Sequence, residues 1–115
     1  MTEEGNSPSH LPAAVPVVPL ELAGYQTGAV VSRTLVKRAG GTLTLFAFDV
    51  GQGLSEHTAP FDALAHVLEG DAEMTIAGTA VRVGAGELVL LPANQPHAIL
   101  ARARFKMLLT MIRST

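Results

Sequence analysis

Cysteine is absent from this chain of 115 residues. Its absence excludes disulfides, thiolate metal ligands and a thiol nucleophile together, so any metal must be held by His, Asp or Glu. Tryptophan is absent too, and one Tyr with four Phe leaves few stacking faces. Eight basic against ten acidic residues give a net charge of −2 and no basic track, which makes nucleic acid a poor partner. Long apolar runs are missing as well. Gly, Pro, Arg or Thr breaks each one far short of the ~18 residues of a membrane span, so no membrane partner is expected. The opening MTEEG is acidic and lacks the apolar stretch of a secretory signal, and the expected compartment is the cytoplasm.

What is present fits one compact domain. Pro8, Pro12, Pro16 and Pro19 fall within residues 1–19. So many positions without an N–H donor predict an extended N-terminal arm there, with the folded domain over 20–115. The arm carries the apolar stretch LPAAVPVVPLEL, which suits a surface groove or a neighbouring subunit as well as it suits free disorder. From Gly28 onward the chain consists of short runs rich in Val, Leu, Thr and Phe: AVVSRTLVK, TLTLFAFDV, AEMTI, TAVRV, ELVLL, HAILARA and FKMLLTMI. Their even spacing predicts an all-β sandwich or barrel, with hairpin turns at Gly40-Gly41 and Ala77-Gly78-Thr79.

The stretch GLSEHTAPFDALAHVLEG, residues 53–70, supports two readings. Thr58 as N-cap, Pro60 in the first turn, an Ala/Leu run and Gly70 as stop describe a helix. The strand signals on both sides favour instead a loop followed by a strand, with His57 lining a cavity, because a helix there would interrupt the pairing.

Two segments resemble the motifs of the cupin superfamily. Gly51 and, five residues on, His57 match the opening of G-x5-H-x-H-x3,4-E-x6-G, which closes in Val67-Leu68-Glu69-Gly70. Gly86, Pro92 and His97 match G-x5-P-x-G-x2-H-x3-N. The resemblance covers roughly residues 28–113 and implies an all-β double-stranded β-helix, a jelly-roll barrel. It also implies that residues 58–70 are loop, then strand. In cupins three His and one Glu point into the barrel around a divalent metal, whereas here Ala59 and Ala63 stand at the second His and the Glu positions. Asn94 replaces a motif Gly and Ala101 the motif Asn.

The resemblance therefore implies either a weakly held divalent metal (Fe, Mn, Ni or Zn) on His57 and His97, or none. Asp62 is a further weak donor, one residue from the Glu position and facing away unless a bulge intervenes. Asn94 and Gln95, in the loop before His97, are candidate ligand contacts and equally good turn formers. His66, of opposite parity to His57, suits a surface or an interface. Glu56 and Glu69 are expected to be exposed, Arg82, Arg102 and Arg104 to lie on solvated faces, and Met74, Met107 and Met111 to fill core. The expected function is binding of a small molecule in a roomy, apolar barrel pocket anchored by His57 and His97. A metal-dependent oxygenase or isomerase is the alternative. FKMLLTMI can bury only alternate residues in one core, so its other face predicts a homodimer, as the resemblance also does.

Overall fold

The computed structural model describes residues 10–113. After a 3-10 turn at Pro19–Glu21 come nine strands: β1 (Val30–Arg38), β2 (Gly41–Phe48), β3 (Gly53–His57), β4 (Asp62–Glu69), β5 (Asp71–Ile76), β6 (Thr79–Gly84), β7 (Leu88–Leu91), β8 (His97–Ala101) and β9 (Phe105–Ile112). They form a five-stranded sheet in the order β1-β2-β9-β4-β7 and a four-stranded sheet in the order β3-β8-β5-β6. Every pairing is antiparallel, as in a jelly roll.

The ambiguous segment is loop, then strand. β4 is hydrogen-bonded to β7 on one edge and β9 on the other, and these ladders override the helical propensity of its Ala and Leu residues. Its alternation is regular: Ala63, Ala65 and Val67 are buried while Asp62, Leu64 and His66 turn outward. β3 precedes it, a strand without an apolar pattern. Three of the five residues in GLSEH are polar and four are exposed, so nothing in the stretch itself marks it as strand.

Between the sheets, Phe48, Phe105, Met74, Met107 and Val67 have no exposed surface. Phe48 and Phe105 stack with centroids 4.4 Å apart. Burying side chains of this size stabilises the fold by roughly 1.5–3 kcal/mol each. On β9 the inward set is Phe105, Met107, Leu109 and Met111, opposite Ala63, Ala65 and Val67 of β4. At the β5–β6 hairpin, Ala77 and Gly78 both have positive φ (51° and 85°). That is the two-residue turn whose twist matches the flanking strands.

The outward side of the five-stranded sheet has a partial cover of its own. Leu35, Leu45 and Ala47 belong to that side yet are at most 2% exposed. Residues 11–22 run over them: Leu11 N–H donates to Leu35 O (2.9 Å), Arg33 Nη1 to Leu22 O (2.8 Å), and buried Lys106 Nζ to Leu20 O (2.7 Å). A polar cluster anchors the end of this segment. Tyr25 Oη donates to Glu69 Oε2 at 2.6 Å, and the Arg104 and Lys106 cations lie 5.2 and 5.0 Å from its ring centroid. Asp49 accepts from Gly28 N (2.7 Å) and Arg104 Nε (2.8 Å). Those bonds, that of Arg104 foremost, lower its carboxyl to about 2. Glu69 is half-buried under Tyr25 rather than exposed as expected, whereas Arg104 is exposed as expected and also bonds to Asp49.

Candidate site at the barrel mouth

β2, β4 and β6 begin, and β3, β5, β7 and β9 end, at one end of the barrel. The loop from Pro92 to Pro96 closes over the start of β4 there, with Asn94 N–H on Ala59 O (2.7 Å) and Ala93 N–H on Asp62 Oδ1 (2.8 Å). The same loop delivers His97 to the first position of β8. β3 approaches β8 closely at Gly53, where a Cβ would collide with the Ile99 carbonyl oxygen, so glycine is required. An irregularity in the ladder after Leu54 then brings His57 into register with His97. The rings meet edge to face, centroids 4.4 Å apart and planes at 69°.

The two imidazoles differ in environment. His97 is only 7% exposed, between His57 and Ile76 in the ladder order. Burial, and next the neighbouring His57, lower its pKa below the ordinary histidine value. The Gln95 backbone lies close enough to the ring to oppose part of that shift, but Nδ1 itself is buried and makes no hydrogen bond of ordinary geometry among the described residues. His57 is exposed, and its Nδ1 lies 2.8 Å from the Ser55 carbonyl oxygen. A carbonyl can only accept, so Nδ1 carries the proton, and the Nε2 of the neutral ring presents a lone pair.

Asp62 faces away from this pair: it neighbours exposed Ile112 in the ladder, and its carboxylate caps the Ala93 N–H. Asn94 and Gln95 are exposed turn residues. Asn94 has φ 64°, which explains a Gly at this place in the cupin motif and the tolerance of Asn. The pattern did not single out Thr42. It shares the inward parity of Phe46 and Phe48 on β2 and neighbours Met111, which in turn neighbours Ala63. Its Oγ1 is the other buried side-chain atom without a partner among the described residues. The pattern alone does not single it out, since Thr44 shares the same inward row of β2.

The metal centre implied by the cupin resemblance does not fit these residues. No group of three His, Asp or Glu side chains among the described residues could hold an ion, and tight sites use three or four protein ligands. Nor is the middle of the barrel the roomy chamber expected from Ala59 and Ala63. Phe48, Phe105, Met74 and Met107 fill it, and Met111 stands beside Ala63. Any binding surface at His57 and His97 therefore lies at the mouth.

Among known proteins, the profile of the cupin domain matches residues 44–112. A conserved protein of unknown function from Streptococcus pyogenes is 33% identical, with TM-score 0.86 over 91% of this chain and 92% of that one. A cupin 2 conserved barrel domain protein from Leptotrichia buccalis is 39% identical, with TM-score 0.79 over 82% of this chain and 46% of that one. A cupin superfamily protein from Desulfitobacterium hafniense is 28% identical, with TM-score 0.84 over 90% of this chain and 95% of that one. No protein of curated function matches. The jelly-roll topology, the two reduced motifs and the profile match place the chain in the cupin family.

Proposed function

We propose that this cupin binds a small polar molecule at the barrel mouth, with His57 and His97 as its polar anchors, and that it works as a binding module. The observation that carries this reading is the pair of unpartnered buried atoms, His97 Nδ1 and Thr42 Oγ1, which come from different sheets at the same end of the barrel. Buried polar atoms are nearly always satisfied, and those left over call for a ligand or an ordered water. His57, whose ring meets that of His97, adds its Nε2, and Thr42 stands beside Met111 at the start of β2 at the same end of the barrel. That set suits a molecule with hydroxyl or amide groups on a short carbon frame. Ala59 and Ala63 at two of the four cupin ligand positions favour binding over metal chemistry.

A thermal-shift panel of small carboxylates, polyols, amides and nucleosides tests the proposal. A compound held at about ten times its Kd stabilises by about 1.4 kcal/mol, or roughly 6 °C for a domain of this size. At least one class is expected to raise Tm of the wild-type chain and to lose the effect in His97→Ala. A flat panel, or a shift that survives His57→Ala and His97→Ala together, contradicts it.

A further inference from the structure

Two hollows on the protein differ in the state of the charges around them. The larger, about 440 Å³, lies on the four-stranded sheet among Asp71, Glu73, Arg82 and Arg102. Each of its arginines already has a carboxylate, Arg82 that of Asp71 at 2.8 Å and Arg102 that of Glu73. No field of one sign is left there to draw a ligand. The smaller, about 310 Å³, lies at the end of the five-stranded sheet, where the turn between β1 and β2 meets the end of β9. Val36, Leu43 and Thr110 line it from the outward row, Thr42 and Met111 from the inward row, so it bends round the end of the sheet. Ile112, 50% exposed, adds an apolar side chain without cover.

Three cations stand at the margin of this second hollow. Gly40 and Gly41 belong to its lining, and so place two of them: Arg38 is the ladder partner of Gly41, and Arg113 N–H donates to Gly40 O (2.9 Å). The third, Lys37, is the ladder partner of Thr42. All three are exposed, and none is in an ion pair among the described residues. Arg38 Nη1 donates to the Lys37 carbonyl oxygen, and the Arg113 guanidinium lies 5.5 Å from the Phe61 ring centroid. Among the ladder neighbours of the lining residues the one carboxylate is Asp62, beside Ile112, and it accepts from the Ala93 N–H.

We propose that this hollow binds a phosphate monoester of a small apolar alcohol, with the phosphate on Lys37, Arg38 and Arg113 and the carbon frame against Val36, Leu43, Met111 and Ile112. Charge decides the head group. Three cations against one carboxylate leave an excess of positive charge that suits the charge of about −1.5 to −2 on a phosphate monoester, and the arginine forks match its oxygens in pairs. Volume decides the rest. At the lower end of the ~300–1,000 Å³ of small-molecule sites, the hollow admits a single ring or a short chain. The site is separate from the imidazoles: its lining belongs to β1, β2, β9 and the turn between β1 and β2, whereas His57 and His97 belong to the other sheet. Only Thr42 is common to the two.

Amide nitrogen–proton spectra of the full chain, titrated with phenyl phosphate, test this. The signals of Gly40, Gly41 and Thr42 are expected to move and saturate, and those of Glu73 and Arg82 in the larger hollow to stay fixed. Phenol and inorganic phosphate, the two halves of the probe, are each expected to bind at least tenfold more weakly. Arg38→Glu with Arg113→Glu changes only exposed side chains and is expected to weaken phenyl phosphate at least tenfold with an unchanged circular dichroism spectrum. Arg102→Gln, on the other sheet, is expected to have no effect. Salt should release the probe, since screening shortens from ~10 Å at 0.1 M to ~3 Å at 1 M. No saturating shift at the turn, wild-type affinity in the charge-reversed variant, or inorganic phosphate binding as tightly as phenyl phosphate overturns the proposal. Shifts at His57 and His97 with the turn signals fixed overturn it by placing the probe on the imidazoles. Sedimentation with phosphatidic acid vesicles, without binding of phenyl phosphate, overturns it in favour of a lipid surface.

Discussion

His57 and His97 are ladder partners on β3 and β8 whose rings meet edge to face, yet one is open to water and the other only 7% exposed. Burial and the neighbouring imidazole both disfavour a proton on His97. In the unfolded chain the same residue takes up its proton near the usual pKa of about 6.5. Below that pH the unfolded state binds more protons, so stability falls as pH drops from about 6.5 through the lowered folded value. Urea midpoints at a series of pH values from neutral to mildly acidic are expected to decline in the wild type and to decline less in His97→Gln. Parallel curves would refute the assignment.

Metal retention is expected to be poor. Two imidazoles without a third protein ligand release a labile divalent ion readily. Untagged protein dialysed after loading with zinc or manganese should hold well under one equivalent by elemental analysis. One tight equivalent, lost in His97→Ala, would contradict that.

Tyr25→Phe keeps the ring beneath Arg104 and Lys106 but removes the hydroxyl bound to Glu69. A net loss of about 1 kcal/mol corresponds to a fall in Tm of about 4 °C. Glu69→Gln should cost no more than this, since an amide oxygen still accepts. No change in Tyr25→Phe would mean that the contact does not anchor the covering segment.

Gly51 and Gly70 frame the first motif at almost the same φ, 82° and 86°. A Cβ on Gly51 meets open space, while one on Gly70 runs into the Arg104 carbonyl oxygen and the Cα of Phe105. Gly51→Ala therefore carries only the left-handed penalty of about 1–2 kcal/mol. Gly70→Ala must also displace backbone next to the Phe105 core, and is expected to lower the urea midpoint several times further. Equal effects would show that the clash is relieved cheaply.

The apolar strands, the Ala77-Gly78 turn and the spacing of the two histidines were legible in the sequence because each is local or rests on a motif. β3 was not: its pairing is decided by β8, more than forty residues later, and its own residues are polar and exposed. Glu69 looked like a turn-flanking surface charge because the hydroxyl that covers it comes from Tyr25, in a different part of the chain. The same distance hid Asp49 with Arg104, and the burial of Leu35 and Leu45 under residues 11–22. Thr42 was not legible: Thr44 shares its inward row on β2, and only the packing of the fold leaves the Thr42 hydroxyl buried without a partner.

Nitrogen-15 resonances of the histidine side chains test the central claim most directly. His57 is expected to show Nδ1 protonated and Nε2 as acceptor, and a compound found in the thermal-shift panel should move the signals of both His57 and His97. Thr42→Val should weaken that compound's binding. Signals of both rings that stay fixed under a saturating concentration of every stabilising compound, while His66 or backbone signals elsewhere move, would place the binding surface away from the barrel mouth and contradict the account.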